Sequence, residues 1–201
     1  MARQKSEQVR QAILEAAQLL FVEKGYIATT ISMIARSAKT SQSNVYVYFS
    51  SKIEIAFAVF DPWMRTKMTE LEATVAATPG AEAKVDMLVT GLLNGIAAAP
   101  SGHTLTLVQA LATAKPTDAY NADLLKWTEE RLRVMISAAL PASTPDENEA
   151  LAQALMLAFD GVALRQNLRR AESDGEPPIQ AFRRVFHPLI ARGLGKEVES
   201  R

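Results

Sequence analysis

The chain is predicted to be all-α, and three observations carry that prediction. Apolar residues recur at spacings of three and four through most of the sequence, enough for about nine helices. Clusters of proline, glycine and serine cut the chain into helix-sized lengths: Thr78-Pro79-Gly80, Pro100-Ser101-Gly102, Lys115-Pro116, Pro141 to Pro145, and Ser173 to Pro178. No segment alternates apolar and polar residues as a half-buried strand does, and no internal repeat is visible.

The first helix is placed at Ser6 to Lys24, with Val9, Ile13, Ala16, Ala17, Leu20 and Phe21 on one face. Gly25 follows where a left-handed C-cap residue sits, and Tyr26 and Ile27 are expected to turn back to the core. A short second helix takes Thr30 as N-cap and points Ile31, Ile34, Ala35 and Ala38 inward. A tight turn at Lys39-Thr40 leads to Ser41, the N-cap of a third helix ending near Tyr48. Val45 and Phe49 face inward there, which leaves Gln42, Ser43, Asn44, Tyr46 and Tyr48 outside. A fourth helix opens near Ser51. Asp61-Pro62 is expected to break or kink it, because proline lacks a backbone donor and crowds the preceding turn. It then resumes to about Ala77, and the later helices are expected over 81–98, 104–114, 117–140, 146–172 and 178–193, with 196–201 frayed.

The 201 residues, 48% of them apolar, can bury one large core or two small ones. A balance of 22 basic and 22 acidic residues argues against a nucleic-acid coat protein, but it hides an asymmetry. Up to Ala56 there are seven basic residues (Arg3, Lys5, Arg10, Lys24, Arg36, Lys39, Lys52) against four acidic ones (Glu7, Glu15, Glu23, Glu54). A basic head on an acidic body suits a small DNA-reading module carried by a larger partner domain. With no cysteine, disulfides and thiolate metal sites are excluded, and no metal or cofactor is expected. The N-terminal residues lack an apolar h-region, so no secretory signal and a cytoplasmic location are expected. The run from Met87 to Ala114 carries no charge, yet Pro100 to His103 divides it into halves shorter than the ~20 residues of a spanning helix. It reads as two buried helices, and no membrane partner is expected.

Two short helices joined by a three- to four-residue turn place the second where a major groove accepts it. The outer residues of the third helix suit that use. The amides of Gln42 and Asn44 can pair with base edges, and Ser43, Tyr46 and Tyr48 bring hydroxyls to phosphate. Thr30 and Ser41 cap helix N-termini that carry partial positive charge. Lys52 opens the fourth helix, where a cation can grip the flanking backbone, and Arg3 and Lys5 can form an arm. The competing reading makes Tyr46 and Tyr48 half-buried aromatics and the Ser/Gln/Asn run a solvated loop.

The ordered series decides for the first reading. Lys24-Gly25-Tyr26, Thr29-Thr30, Ile34-Ala35, Ala38, Ser41, Val45-Tyr46, Tyr48-Phe49 and Ser51-Lys52 resemble the N-terminal domain of the TetR (tetracycline repressor-like) family of bacterial regulators over residues 9–57. The resemblance implies that Thr30, Gln42, Ser43, Asn44, Tyr46, Tyr48 and Lys52 touch DNA. Three departures stand out. Lys39 and Thr40 replace the family's usual glycine and aliphatic residue in the turn, Tyr48 stands where a histidine is common, and Val47 replaces a frequent aromatic. If the turn needs a left-handed residue, Lys39 carries a strain of about 1 kcal/mol; the alternative is that the extra cation there contacts phosphate. The expected division is a helix-turn-helix DNA-binding domain at 1–52, a larger helical ligand-binding and dimerisation domain at 53–201, and a helix over 51–77 bridging them.

Reading a palindrome takes two heads about one DNA turn, ~34 Å, apart, so the body should pair with a second copy. The run Phe159-Asp160-Gly161-Val162-Ala163-Leu164 resembles the eighth helix of many TetR-like proteins, and that resemblance implies a four-helix bundle made by the last two helices of each copy. The interface candidates are Leu155, Phe159, Val162, Phe182, Phe186 and Leu189; an ordinary core pair within one subunit is the alternative. An apolar or amphipathic small-molecule effector is also expected, with Trp63, Met64, Met68, Met87, Leu92, His103, Leu107, Trp127 and Phe159 as candidate lining. Residues of these types at helical spacing equally make plain core.

An enzyme is the rival class, but His103 and His187 are the only histidines and no Walker, GxSxG or HExxH pattern occurs. The better alternative is a helical ligand- or protein-binding module whose helix-turn-helix no longer reads DNA. The favoured function is a DNA-binding regulator, most simply a repressor that binds a palindromic operator as a homodimer and is released by an inducer.

Overall fold

The computed structural model describes residues 2–99, 101–115 and 123–169, together with Gln180. Among them the chain forms eight α-helices: α1 (Ala2–Ala28), α2 (Ile31–Ser37), α3 (Gln42–Tyr48), α4 (Lys52–Ala77), α5 (Ala81–Thr90), α6 (His103–Ala112), α7 (Asp123–Ala139) and α8 (Pro145–Arg169). The expected ninth helix at 178–193 lies outside the described residues, as do Phe182, Phe186 and Leu189. None of the described helices is long and apolar enough to cross a membrane.

Two compact units make up the chain, Met1–Met64 with Pro100–Leu124, and Arg65–Ala99 with Leu125–Arg201. Helix α4 contributes its first half to one and its second half to the other. In the first unit Ile13, Ala17 and Phe21 of α1 are buried, with Ile34 of α2, Val45 of α3, and Ile55 and Phe60 of α4. The Phe21 ring lies 5.5 Å from that of Tyr26 and 6.4 Å from that of Phe60. Helix α6 packs on α1 within this unit. In the second unit Met68 and Leu71, Leu88, Leu92 and Leu93, Leu132 and Met135, and Leu155 and Phe159 are buried. Arg131 pairs with Glu72 at 3.5 Å, and Arg133 pairs with Glu130 one turn back on α7.

Several elements differ from the sequence expectation. Gly25 has φ 78° and ψ 163°, so it breaks α1 with a positive φ but in an extended rather than left-handed helical state. One further turn follows it; Tyr26 is buried as expected, whereas Ile27 is 66% exposed. Helix α4 runs unbroken through Pro62, whose ring is exposed and which withholds one backbone hydrogen bond. The expected helix over 81–98 changes form midway: Gly91–Ala97 is π-helical. Gly91 and Gly95 weaken the α form there, and Leu71 Cδ1 lies where a β-carbon on Gly91 would stand. Helix α8 starts at Pro145, which opens the helix instead of ending the loop. Thr144 and Glu147 form its capping box: the Thr144 N–H donates to Glu147 Oε2 at 2.8 Å and the Glu147 N–H to Thr144 Oγ1 at 3.2 Å.

Candidate nucleic-acid interface

The reading head is assembled from local hydrogen bonds. Thr29 is fully buried, and its hydroxyl donates to the Gly25 carbonyl at 2.8 Å, fixing the corner after α1. Thr30 has extended backbone and caps α2 by accepting from the Met33 N–H at 3.2 Å. The turn to α3 is closed by Ala38 N–H to Ile34 O at 2.8 Å and Thr40 N–H to Ala35 O at 2.9 Å. Lys39 takes φ 53° to make it, so the left-handed residue the turn requires is a lysine. Ser41 caps α3 by accepting from the Asn44 N–H at 3.1 Å.

Helix α3 is held by two anchors, Val45 and Phe49, both buried. With seven residues and one face anchored, the rest must point out. Gln42 and Ser43 are exposed, Tyr46 is 49% exposed, and Tyr48 is half-buried. Val47 is 76% exposed, the most open large apolar side chain among the described residues. It was not among the sequence candidates, although its neighbours on the α3 helix wheel were; an exposed valine there offers an apolar contact to a thymine methyl. Asn44 is less free than expected. It is half-buried and its Nδ2 donates to Thr40 Oγ1 at 2.7 Å, while the hydroxyls of Ser41 and Ser43 lie 2.9 Å apart.

Lys52 departs most from the outward cation expected of it. Its Nζ donates to the carbonyls of Tyr26 at 2.8 Å and Thr29 at 2.9 Å and lies 4.1 Å from the Tyr26 ring centroid. Burial of the ammonium lowers its pKa from the ordinary lysine value. Ser51 caps α4 by accepting from the Glu54 N–H at 3.1 Å, and Glu54 reaches back to the Ser50 N–H at 2.6 Å. The Ser51-Lys52-Ile53-Glu54 spacing that makes this cap is a sequence signal for the start of α4.

The candidate effector residues divide between the units. Trp63, Met64, His103 and Leu107 belong to the first; Met68, Met87, Leu92, Trp127 and Phe159 belong to the second. Met64, Met68, Leu92, Leu107 and Phe159 are buried, and Met87 is half-buried. The Arg65 guanidinium lies 4.7 Å from the Trp127 ring centroid, so that ring is not purely an apolar wall. The interface candidates on α8 differ in exposure from their neighbours. Leu155 and Phe159 of α8 are buried within the chain itself and Val162 is half-buried, whereas Leu157 is 74% and Leu164 46% exposed with Gly161 between them.

Residues 13–59 match the family described as bacterial regulatory proteins, tetR family. The chain is 37% identical over 190 residues to the HTH-type transcriptional repressor Rv3405c of Mycobacterium tuberculosis strain H37Rv, a match covering 94% of this chain and 90% of that protein. A 31% identical match to the HTH-type transcriptional regulator HbdR of Aromatoleum sp. strain CIB covers 69% of this chain and 58% of that one. The fold is similar to that of the transcriptional regulator FadR from Bacillus subtilis in complex with stearoyl-CoA, with a TM-score of 0.58, 17% identity, and coverage of 92% of this chain and 98% of that one. The family match lies on the helix-turn-helix, and the repressor match runs almost end to end. The chain belongs to the TetR family of bacterial regulatory proteins, transcriptional regulators with a helix-turn-helix DNA-binding domain.

Proposed function

We propose that two copies of this chain bind a palindromic operator as a repressor, with α3 of each in the major groove, and that a small apolar or amphipathic effector releases them. The observation that carries the DNA reading is the outward face of α3. Gln42, Ser43, Tyr46 and Val47 are presented to solvent from a helix whose other face is fastened by Val45 and Phe49. Gln42 suits base edges, Val47 suits a thymine methyl, and Thr30, Ser41, Ser43, Tyr46 and Tyr48 suit phosphate oxygens. Asn44 adds its remaining amide capacity.

The exposed stripe Leu157, Gly161 and Leu164 on α8 supports pairing with a second copy, glycine allowing close approach of a helix. Effector binding is supported by the family and by the fold neighbour that holds stearoyl-CoA, an amphipathic molecule. The apolar side chains of Met68, Leu92 and Phe159 give the second unit the character such a ligand needs. A ligand releases the protein from its operator only through differential affinity for the operator-bound and operator-free states.

Selection of duplexes from a random-sequence pool by the full chain tests the reading. Enrichment of an inverted repeat with half-sites about one helical turn apart is expected, and affinity should fall steeply with salt. A protein that enriches nothing would leave the helix-turn-helix as a scaffold for ligand or protein binding. An effector with equal affinity for free and operator-bound protein would rule out that effector as the inducer.

A further inference from the structure

We propose that Lys39 is a phosphate-gripping cation of the reading head, and that Lys52 serves instead as a positioning residue for that head. The proposal rests on α3 being the DNA-recognition helix. Lys39 joins α2 to α3 and is the one non-glycine residue among those described with a positive φ. There the β-carbon of an L-residue crowds its own backbone, and glycine is free of that cost. The turn bonds, Lys39 N–H to Arg36 O at 3.2 Å and Thr40 N–H to Ala35 O at 2.9 Å, involve backbone atoms that glycine also carries. The lysine side chain is exposed and engages no partner among the described residues. The fold therefore accepts strain at this position and gains no contact from the side chain.

What the side chain does have is position. Lys39 stands two residues before Ser41, the cap of α3. A duplex seated on α3 brings a phosphate strand past that end. An ammonium on a long flexible stem reaches one phosphate there and displaces its counterion. Two other cations of the head have uses within the chain. Arg10 pairs with Glu7 and lies 5.4 Å from the Phe49 ring centroid, and Arg36 sits in the last turn of α2, where positive charge suits the helix dipole.

Lys52 shows the opposite arrangement. Its ammonium holds two carbonyls at the corner between α1 and α2, so one side chain fastens the first turn of α4 to the platform under α3. Removing it loosens the placement of α3 without removing a phosphate contact.

The full-length wild type first selects a duplex from random-sequence DNA, and binding of that duplex is followed against salt for Lys39→Gly, Lys39→Gln, Lys39→Arg, Lys52→Met and Lys52→Arg. Lys39→Gly and Lys39→Gln should each lower the slope of log affinity against log salt by about 0.9 per protomer and weaken low-salt binding about tenfold, while Lys39→Arg keeps the slope. Lys39→Gly alone should melt above the wild type, since Lys39→Gln keeps the β-carbon. Lys52→Met should bind more weakly with the slope unchanged. Lys52→Arg should also bind more weakly, because the larger planar guanidinium does not fit the ammonium's place between the two carbonyls and the Tyr26 ring. Wild-type slope and affinity in both neutral Lys39 variants would overturn the Lys39 assignment while leaving DNA binding intact, and a Lys39→Gly protein that melts no higher would overturn the strain argument. A shallower slope in Lys52→Met, or full binding by Lys52→Arg, would overturn the positioning role. A wild type that selects no duplex would instead defeat the reading of α3 itself.

Discussion

The imidazole of His103 lies against the indole of Trp63, ring centroids 5.1 Å apart and planes 15° from parallel. The edge of the same imidazole meets the Phe60 ring at 5.4 Å and 87°, and the Gln18 amide nitrogen lies 3.3 Å from its Nε2. One ring at the start of α6 therefore gathers α1 and α4, all within the first unit. Its Nδ1 is buried with no hydrogen-bond partner among the described residues. This favours His103 as a fastening between helices over His103 as an effector contact.

The consequence is a pH dependence with a definite sign. Burial pushes the His103 pKa below its ordinary 6.5, so the folded chain prefers the neutral ring. Between the depressed folded value and about 6.5 the unfolded chain binds more protons, and stability rises with pH. The contribution is complete above about pH 6.5 and is lost as pH falls through the folded value. Urea midpoints measured from about pH 7 to about pH 5 should fall further for the wild type than for His103→Gln, which cannot titrate in this range. Parallel losses in the two proteins would mean that the ring is solvated in solution.

The helix-turn-helix was legible because its determinants are local. Thr30, Ser41, Val45 and Phe49 act within a few residues of where they stand, and all four do what capping rules and periodicity assign to them. Lys52 was not legible, because its partners, the carbonyls of Tyr26 and Thr29, come close only after α1 and α4 have packed. Pro62 misled for a related reason: an exposed proline in a long helix loses one hydrogen bond, and the packing of Phe60 and Met64 on either side of it carries the helix through. On α8, Leu155 and Leu157 are equally apolar, so composition could not tell which faces the core; the packing of α8 against the π-helical segment decides it.

The caps on either side of the turn give a second prediction. Thr30→Ala and Ser41→Ala each leave one N-terminal N–H of a seven-residue helix without its side-chain acceptor. Each should cost about 1 kcal/mol of unfolding free energy, read from denaturant midpoints, and Thr30→Ser should recover most of it. Such short helices have few other bonds to absorb the loss. If Ser41→Ala is neutral, the α3 N-terminus is satisfied by some other group.

The proposed pairing face of α8 can be tested apart from its buried face. Leu157→Glu or Leu164→Glu puts charge on an exposed stripe, and sedimentation should show a folded monomer where the wild type sediments as a dimer. Leu155→Ala empties a buried site and should cost roughly 2–5 kcal/mol without altering the oligomeric state. A Leu157→Glu protein that remains dimeric would move the contact off this face.

The α3 face should split affinity from preference. Gln42 brings the exposed amide of that face, a donor and an acceptor set for a bidentate base contact, so Gln42→Ala should relax selection at a particular base pair, by about 1–3 kcal/mol of discrimination. Val47 has only methyl groups to offer, and Val47→Ser should weaken preference for thymine at one position with little change elsewhere. Tyr46→Phe removes a hydroxyl that suits phosphate, and it should weaken every selected sequence by a similar factor while leaving their ranking unchanged. Repeating the random-duplex selection with each variant reads all three. A Tyr46→Phe protein with reordered preferences would place that hydroxyl on a base, and an unchanged consensus for Gln42→Ala would shift base reading toward Asn44, whose amide is already tied to Thr40 on one side.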